Sequence, residues 1–276
     1  LALATGPAAA RVKILAAESV YGAVAADVAG PAANVTSVLR TPAQDPHDFE
    51  AGPAVARDVA DADIVVENGL DYDAWLDRLL AGAPRAGRTV VRVADLTDAA
   101  PGANPHLWQA PANMVKVASA LADDIAARDA ANAPAIRQRT ASFMARMARV
   151  TATIADMRAR FAGTPVAATE PVFGPMAAAL GLDMRDARFQ LAVMNGTEPR
   201  AGDVIAFEDD LLRHRVRLLF HNTQVSDASS DRLLALAAAS RVPVVGVAET
   251  LPAGEDYPDW MLAELGAVRG ALAAAP

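Results

Sequence analysis

The sequence predicts an α/β protein made of two lobes with mainly parallel sheets, joined by one long backbone helix. Three observations carry this reading. Short β-branched apolar runs alternate with helical stretches in both halves of the chain, the pattern of strands covered on both faces of a parallel sheet. The segment 134–161 has no glycine and no proline after its first residue, and its larger side chains recur at steps of three and four. At 276 residues, the chain exceeds the usual size of one domain, about 100–200 residues.

Taken in order, residues 12–15, 35–39, 64–66 and 89–93 read as strands, and 20–29, 53–60 and 72–80 as the helices between them. Pro111-Ala112-Asn113 opens a further helix to about residue 130. The long helix follows, with Ile136, Thr140, Phe143, Met147, Val150, Ile154, Met157 and Phe161 on one stripe. Pro134 suits its first turn and Gly163 its stop, and at 1.5 Å per residue it is about 40 Å long, the span of a small domain. The arginines on its other faces read as solvated surface. Strands at 166–169, 216–220 and 242–247 then alternate with helices at 175–180, 203–214, 229–240 and 258–272. The expected division is a signal-peptide remnant or disordered tail at 1–10, an N-terminal lobe at 11–133, a linking helix at 134–162 and a C-terminal lobe at 163–276. No internal repeat of fixed period is visible.

Composition narrows the chemistry. With 25 Lys and Arg against 33 Asp and Glu, the net charge is −8, the opposite of a nucleic-acid-binding footprint. Cysteine is absent, which removes disulfides, thiolate metal sites and thiol catalysis, and makes a soluble protein the expectation over a lipoprotein. No apolar run reaches the 18 or so residues of a membrane span, so no membrane insertion is expected. The apolar start, Leu1 to Ala10, reads as the end of an exported signal region and points to a soluble periplasmic protein.

The chain has four histidines, and two directly follow a proline, in Asp45-Pro46-His47-Asp48-Phe49-Glu50 and Asn104-Pro105-His106-Leu107-Trp108. Proline fixes its own φ and biases the residue before it, so each imidazole is expected in a rigid, extended loop suited to a metal ligand. Two glutamates, Glu170 and Glu249, lie just past the carboxyl ends of predicted strands, where open α/β sheets place ligands. Two neutral imidazoles and two carboxylates would balance a divalent cation, and this mixed nitrogen and oxygen set suits Mn²⁺, Fe²⁺ or Zn²⁺. Asp45 and Asp48 read as groups that orient His47. His214 reads as a helix-end residue, and His221 follows a strand from which it could line the crevice. Trp75, Trp108 and Trp260 read as packing residues.

These phrases resemble the solute-binding receptors of bacterial ABC transporters for manganese, zinc and iron. The resemblance runs from residue 11 to about residue 272 and rests on the two Pro-His phrases, on Glu170 three residues before Phe173-Gly174, on Glu198-Pro199 ahead of a helix, and on the long helix itself. It implies metal ligands at His47, His106, Glu170 and Glu249, the last at a position usually held by aspartate. Glu170 in place of histidine resembles the manganese members, and no histidine-rich loop lies between His47 and His106. The implied function is a periplasmic receptor that captures one divalent metal between its lobes, manganese or zinc with iron possible, and delivers it to an inner-membrane permease. Such a receptor acts as a monomer with no catalysis of its own. The alternative is a mononuclear metal-dependent hydrolase using the same histidines and glutamates, with Asp45 or Glu255 as a general base. An adhesin reading has little behind it, since no extended binding module is appended.

Overall fold

A computed structural model describes residues 11–41, 44, 49–225 and 227–274. The first lobe contains β1 (Val12–Glu18), α1 (Ser19–Ala29), β2 (Ala33–Leu39), α2 (Pro53–Asp61), β3 (Ile64–Glu67), α3 (Ala74–Gly82), β4 (Thr89–Arg92), the single turn α4 (Val93–Leu96) and α5 (Pro111–Arg128). After α6 (Ala133–Phe161) the second lobe contains β5 (Pro165–Ala168), α7 (Gly174–Leu180), β6 (Asp183–Met184), α8 (Ala187–Met194), α9 (Ala201–Leu212), β7 (Leu219–Asn222), α10 (Ala228–Ala239), β8 (Val244–Val247) and α11 (Tyr257–Ala274). All strand pairs are parallel, and the strand orders are β2-β1-β3-β4 and β6-β5-β7-β8. The same winding thus occurs twice, although no sequence period announces it.

Strand β1 illustrates why these runs become central strands. Ile14 and Ala16 join the large apolar cluster on one face, while Leu15 and Ala17 join a separate cluster with Val65, Trp75 and Leu76 on the other. A strand apolar on both faces is stable only between two layers of helix. The large cluster continues from Ile64 and Val66 through the buried side of α6 to Phe173, Phe220 and Trp260, so one core underlies both lobes.

Helix α6 is continuous from Ala133 to Phe161, with Ile136, Phe143, Met147, Val150 and Met157 buried along the expected stripe. It packs against α1 and α5 of the first lobe and α7 and α11 of the second. Its polar side is not wholly solvated surface. The guanidinium of Arg146 forks between Asp27 on α1 and Asp256 just ahead of α11, one carboxylate from each lobe. The stripe and this fork together hold the two lobes to one rigid element.

Four elements depart most from expectation. The edge strand β6 and helix α8 fall in a stretch where no element is expected, because two residues of pairing and eight of helix are too short to declare a period. Helix α3 starts at Ala74 rather than at Tyr72. Gly69, Leu70 and Asp71 all have positive φ (80°, 57° and 63°), and this left-handed run reverses the chain before the helix can begin. Two of those residues are not glycine, a strain that persists only where surrounding contacts enforce it. Here Asp73 supplies them, accepting from the backbone N–H of Asn68 at 2.5 Å and of Gly69 at 2.9 Å. Strand β7 begins three residues late, which carries it through His221 to Asn222.

Candidate metal centre

In both lobes the strand order reverses direction between the first and third strands, β1 and β3 in one and β5 and β7 in the other. Such a switch point opens a crevice beyond the strand ends. Glu170 lies two residues past β5, Asn222 ends β7, and Glu249 lies two residues past β8. His106 comes from the connection after β4, which is pinned to the end of β3 by Asn68, whose amide donates to the carbonyl of Pro105 at 2.8 Å. Asn68 is itself held by the Tyr21 hydroxyl at 2.5 Å.

The loop around His106 is rigid but not extended. His106 has φ −74° and ψ 56°, and the N–H of Leu107 bonds the carbonyl of Pro105 at 2.7 Å, an inverse γ-turn centred on the histidine. Asn104 fixes the ring. Its side-chain oxygen accepts from the His106 backbone N–H at 3.0 Å and faces ring Nδ1 at 2.8 Å. An amide oxygen cannot donate, so Nδ1 carries the proton and Nε2 presents its lone pair. That Nε2 is buried, has no hydrogen-bond partner, and stands 3.5 Å from Oε2 of Glu249. Two ligand atoms on a tetrahedral ion with bonds of about 2.0–2.1 Å lie about 3.3 Å apart, so this spacing has the scale of one coordination edge.

The two glutamates are joined through one nitrogen. The Asn222 amide donates to Oε2 of Glu170 and, at 2.8 Å, to Oε1 of Glu249. Glu249 also accepts the Tyr72 hydroxyl on Oε2 at 2.6 Å. Its backbone N–H and that of Thr250 both donate to the side-chain oxygen of Gln224, at 2.7 and 2.8 Å. His106, Glu170, Asn222 and Glu249 are all buried. Burial, and then the charge of Glu249, push the Tyr72 hydroxyl well above its ordinary pKa, so it stays a donor. Tyr72 and Trp108 wall the imidazole edge-on, with ring centroids 5.9 and 5.4 Å from it.

The lobes meet through side chains around these groups. The Asn104 amide donates to the carbonyl of Pro171 at 2.6 Å, and the N–H of Leu251 donates to the Ser19 hydroxyl at 3.1 Å. Behind the crevice the Tyr257 hydroxyl donates to the carbonyl of Trp108 at 2.6 Å, and Gln109 donates to Glu264 at 3.3 Å. On the other side a cavity of about 560 Å³ opens onto Glu170 between the 193–199 segment and the start of α10.

Of the four expected ligands, His106, Glu170 and Glu249 therefore converge on one buried crevice. His47, with Asp45 and Asp48, lies outside the described residues. Among the described residues no three His, Asp or Glu side chains are grouped closely enough to hold an ion by themselves. His221 points away from Asn222 by strand alternation and contacts the Thr169 hydroxyl at 3.4 Å, while burial lowers its pKa. His214 lies two residues past the end of α9, in a turn, with a left-handed φ of 52°. Sequence reasoning overlooked Tyr72, Asn104 as the orienting group, Asn222 and Gln224. The one available signal was that Asn222 sits a single residue from His221, so a strand face can present only one of them to the crevice.

Two parallel-sheet lobes thus sit on one continuous helix and meet over a buried crevice lined by imidazole and carboxylate. A family model for ZnuA, the periplasmic component A of the zinc-uptake complex, matches residues 14–271, and the chain belongs to that family. The manganese-binding lipoprotein MntA of Halalkalibacterium halodurans is 33% identical over 122 residues, which span 42% of this chain and 40% of that relative. Among solved structures, the periplasmic zinc binding protein TroA from Treponema pallidum superposes with a TM-score of 0.80 at 14% identity, covering 95% of this chain and 99% of that one. The SBP FpvC from Pseudomonas aeruginosa, in complex with Mn²⁺, gives 0.76 at 18% identity, covering 96% and 99%. These likenesses establish the fold. That family is one of periplasmic transport components rather than enzymes, and the hydrolase alternative finds no support. Among the described residues, no helix is long and apolar enough to cross a membrane.

Proposed function

We propose that this protein captures one divalent transition metal between its lobes and delivers it to the permease of an ABC transporter. His47 and His106 serve as the nitrogen ligands, and Glu170 and Glu249 as the oxygen ligands. The observation that carries the reading is the buried, unpartnered Nε2 of His106 facing Glu249 across the lobe boundary at 3.5 Å. A buried polar atom without a partner is costly. Two imidazoles and two carboxylates give the set a charge of −2, matched to a divalent cation. The relatives named above for zinc and for manganese support the class of cargo.

The working units are a lobe at 11–133 and a lobe at 163–276 on the helix 134–162, and the protein functions as a monomer. A helix bound to both lobes leaves room for a small tilt and not for a wide hinge. Release then requires breaking the few contacts that join the lobes, among them the bonds from Asn104 to Pro171 and from Leu251 to Ser19. Titration calorimetry of the chelator-stripped protein with Zn²⁺ and with Mn²⁺ tests the reading. One ion per chain is expected, with at least a tenfold loss of affinity, about 1.4 kcal/mol, in His106→Ala. Affinity unchanged in a folded His106→Ala protein removes that imidazole from the site.

A further inference from the structure

We propose that Glu18 is a further ligand of the captured ion, a carboxylate oxygen supplied by the first lobe from the end of an inner strand. This inference rests on the receptor reading above and adds a residue to that site. Glu18 is the last residue of β1 and is 3% exposed, yet neither of its oxygens has a hydrogen-bond partner. It directly precedes α1, but its side chain does not cap that helix. Among the described residues it forms no ion pair. Burial above all, and then the like charges of Asp73 and Glu67, push its carboxyl well above the ordinary range, and only its own backbone N–H acts the other way. A buried carboxylate with neither donor nor counter-ion is costly, and a cation in the crevice removes that cost.

Three features place this carboxylate at the crevice. The first is topology. Both sheets wind the same way, so β1 holds in the first lobe the place that β5 holds in the second, beside the switch point. Strand β5 leads through Ala167-Ala168-Thr169 to Glu170, and β1 ends in Ala16-Ala17-Glu18, so the two glutamates are counterparts. The second is strand alternation. Glu18 shares the face of Ile14 and Ala16, which join the cluster that includes Tyr21 and Tyr72. The register of Ala16 opposite Val66 brings Glu18 alongside Asn68, whose amide holds the carbonyl of Pro105 next to His106. The third is proximity to Glu249 of the other lobe. The Ser19 hydroxyl accepts the N–H of Leu251, two residues past Glu249. Tyr72, whose hydroxyl donates to Glu249, feels burial first, then the charge of Glu249, and then that of Glu18. His106, Glu249 and Glu18 do not form a closed cage without an ion, and a glutamate has three side-chain torsions with which to turn toward one. Three carboxylates against a divalent ion leave one surplus negative charge, which the Tyr72 hydroxyl and the Asn222 amide, both donating to Glu249, stabilise.

The test uses the whole chain, stripped of metal and loaded with Zn²⁺ or Mn²⁺ alone. In a crystal structure of the Zn²⁺ form, one oxygen of Glu18 is expected about 2.0–2.2 Å from the ion. Glu18→Gln keeps the shape of the side chain and removes its charge, and chelator competition should then show a loss of about tenfold or more in affinity for each ion. Without metal this variant should melt close to wild type, since no hydrogen bond of the Glu18 carboxylate is lost, while the rise in melting temperature on adding metal should shrink. A purely structural role gives the reverse, a lower melting temperature without metal and the same rise on adding it. The loaded wild-type structure decides the question if the variant does not fold. Both Glu18 oxygens more than about 3 Å from the ion in that structure, or unchanged affinity in a folded Glu18→Gln protein, overturns the assignment to Glu18 and leaves the receptor reading intact. A wild type that binds neither ion overturns the receptor reading, and this inference with it.

Discussion

Replacing Asn104 with alanine is expected to weaken metal binding by roughly 10–100-fold, the usual cost of removing the group that orients a ligand histidine. That corresponds to about 1.4–2.7 kcal/mol. Two contacts produce the loss. The side-chain oxygen that holds Nδ1 of His106 at 2.8 Å disappears, so Nε2 is no longer locked in tautomer or direction. The amide bond to the Pro171 carbonyl at 2.6 Å disappears with it, and this bond ties the His106 loop to the residue after Glu170. The second loss also appears in the metal-free protein, where an unmet carbonyl in a partly buried position costs about 1 kcal/mol of stability. Asn104→Asp separates the two effects. Aspartate keeps the acceptor for His106 but sets a carboxylate oxygen against the Pro171 carbonyl, so it should retain more affinity than alanine while melting lower. Gly174→Ala gives an independent check, because a Cβ there would stand 2.6 Å from the Asn104 amide nitrogen and push it aside. Gly174 is helical, with φ −52° and ψ −49°, so alanine brings no backbone strain of its own. Chelator competition for Zn²⁺ and thermal melting of the metal-free protein are the assays. A folded Asn104→Ala protein within about threefold of wild-type affinity would falsify the orienting role.

Two further outcomes test the frame around the site. Burial holds Glu264 protonated up to about 8, against an ordinary 4.5. Between those values folding takes up a proton, so this residue's contribution to stability falls as pH rises from about 4.5 to about 8. Glu264→Gln keeps a polar partner for Gln109 and removes the titration, so its melting temperature relative to wild type should be higher at pH 8 than at pH 5; an offset equal at both values rejects the assignment. Phe143→Ala empties a fully buried position on α6 and should cost about 3–5 kcal/mol in urea unfolding. A cost under about 1 kcal/mol would mean that the stripe on this helix does not carry the joint core.

The sequence by itself determined those features that repeat along the chain. Alternation of apolar strands with helices, the three-and-four stripe from Ile136 to Met157 and the Pro134 and Gly163 ends of α6 are local patterns, and local backbone physics enforces them. The placement of Glu170 and Glu249 at the crevice was legible for the same reason, since each lies just past a strand, and strand ends in parallel sheets point toward the crevice. Tertiary structure alone decided how the side chains at the crevice are held. Tyr72 reaches Glu249 across 177 positions of sequence, and only because three consecutive left-handed residues delay α3. Asn222 lies 52 positions from Glu170 and 27 from Glu249, and the choice of it over His221 depended on where β7 began, to the residue. Arg146 carries the same periodic signal as the solvated arginines around it, yet it meets an aspartate from each lobe. A hydrogen bond between distant segments leaves no period in the sequence, because its partners are brought together by the packing of the whole chain and not by the backbone that connects them.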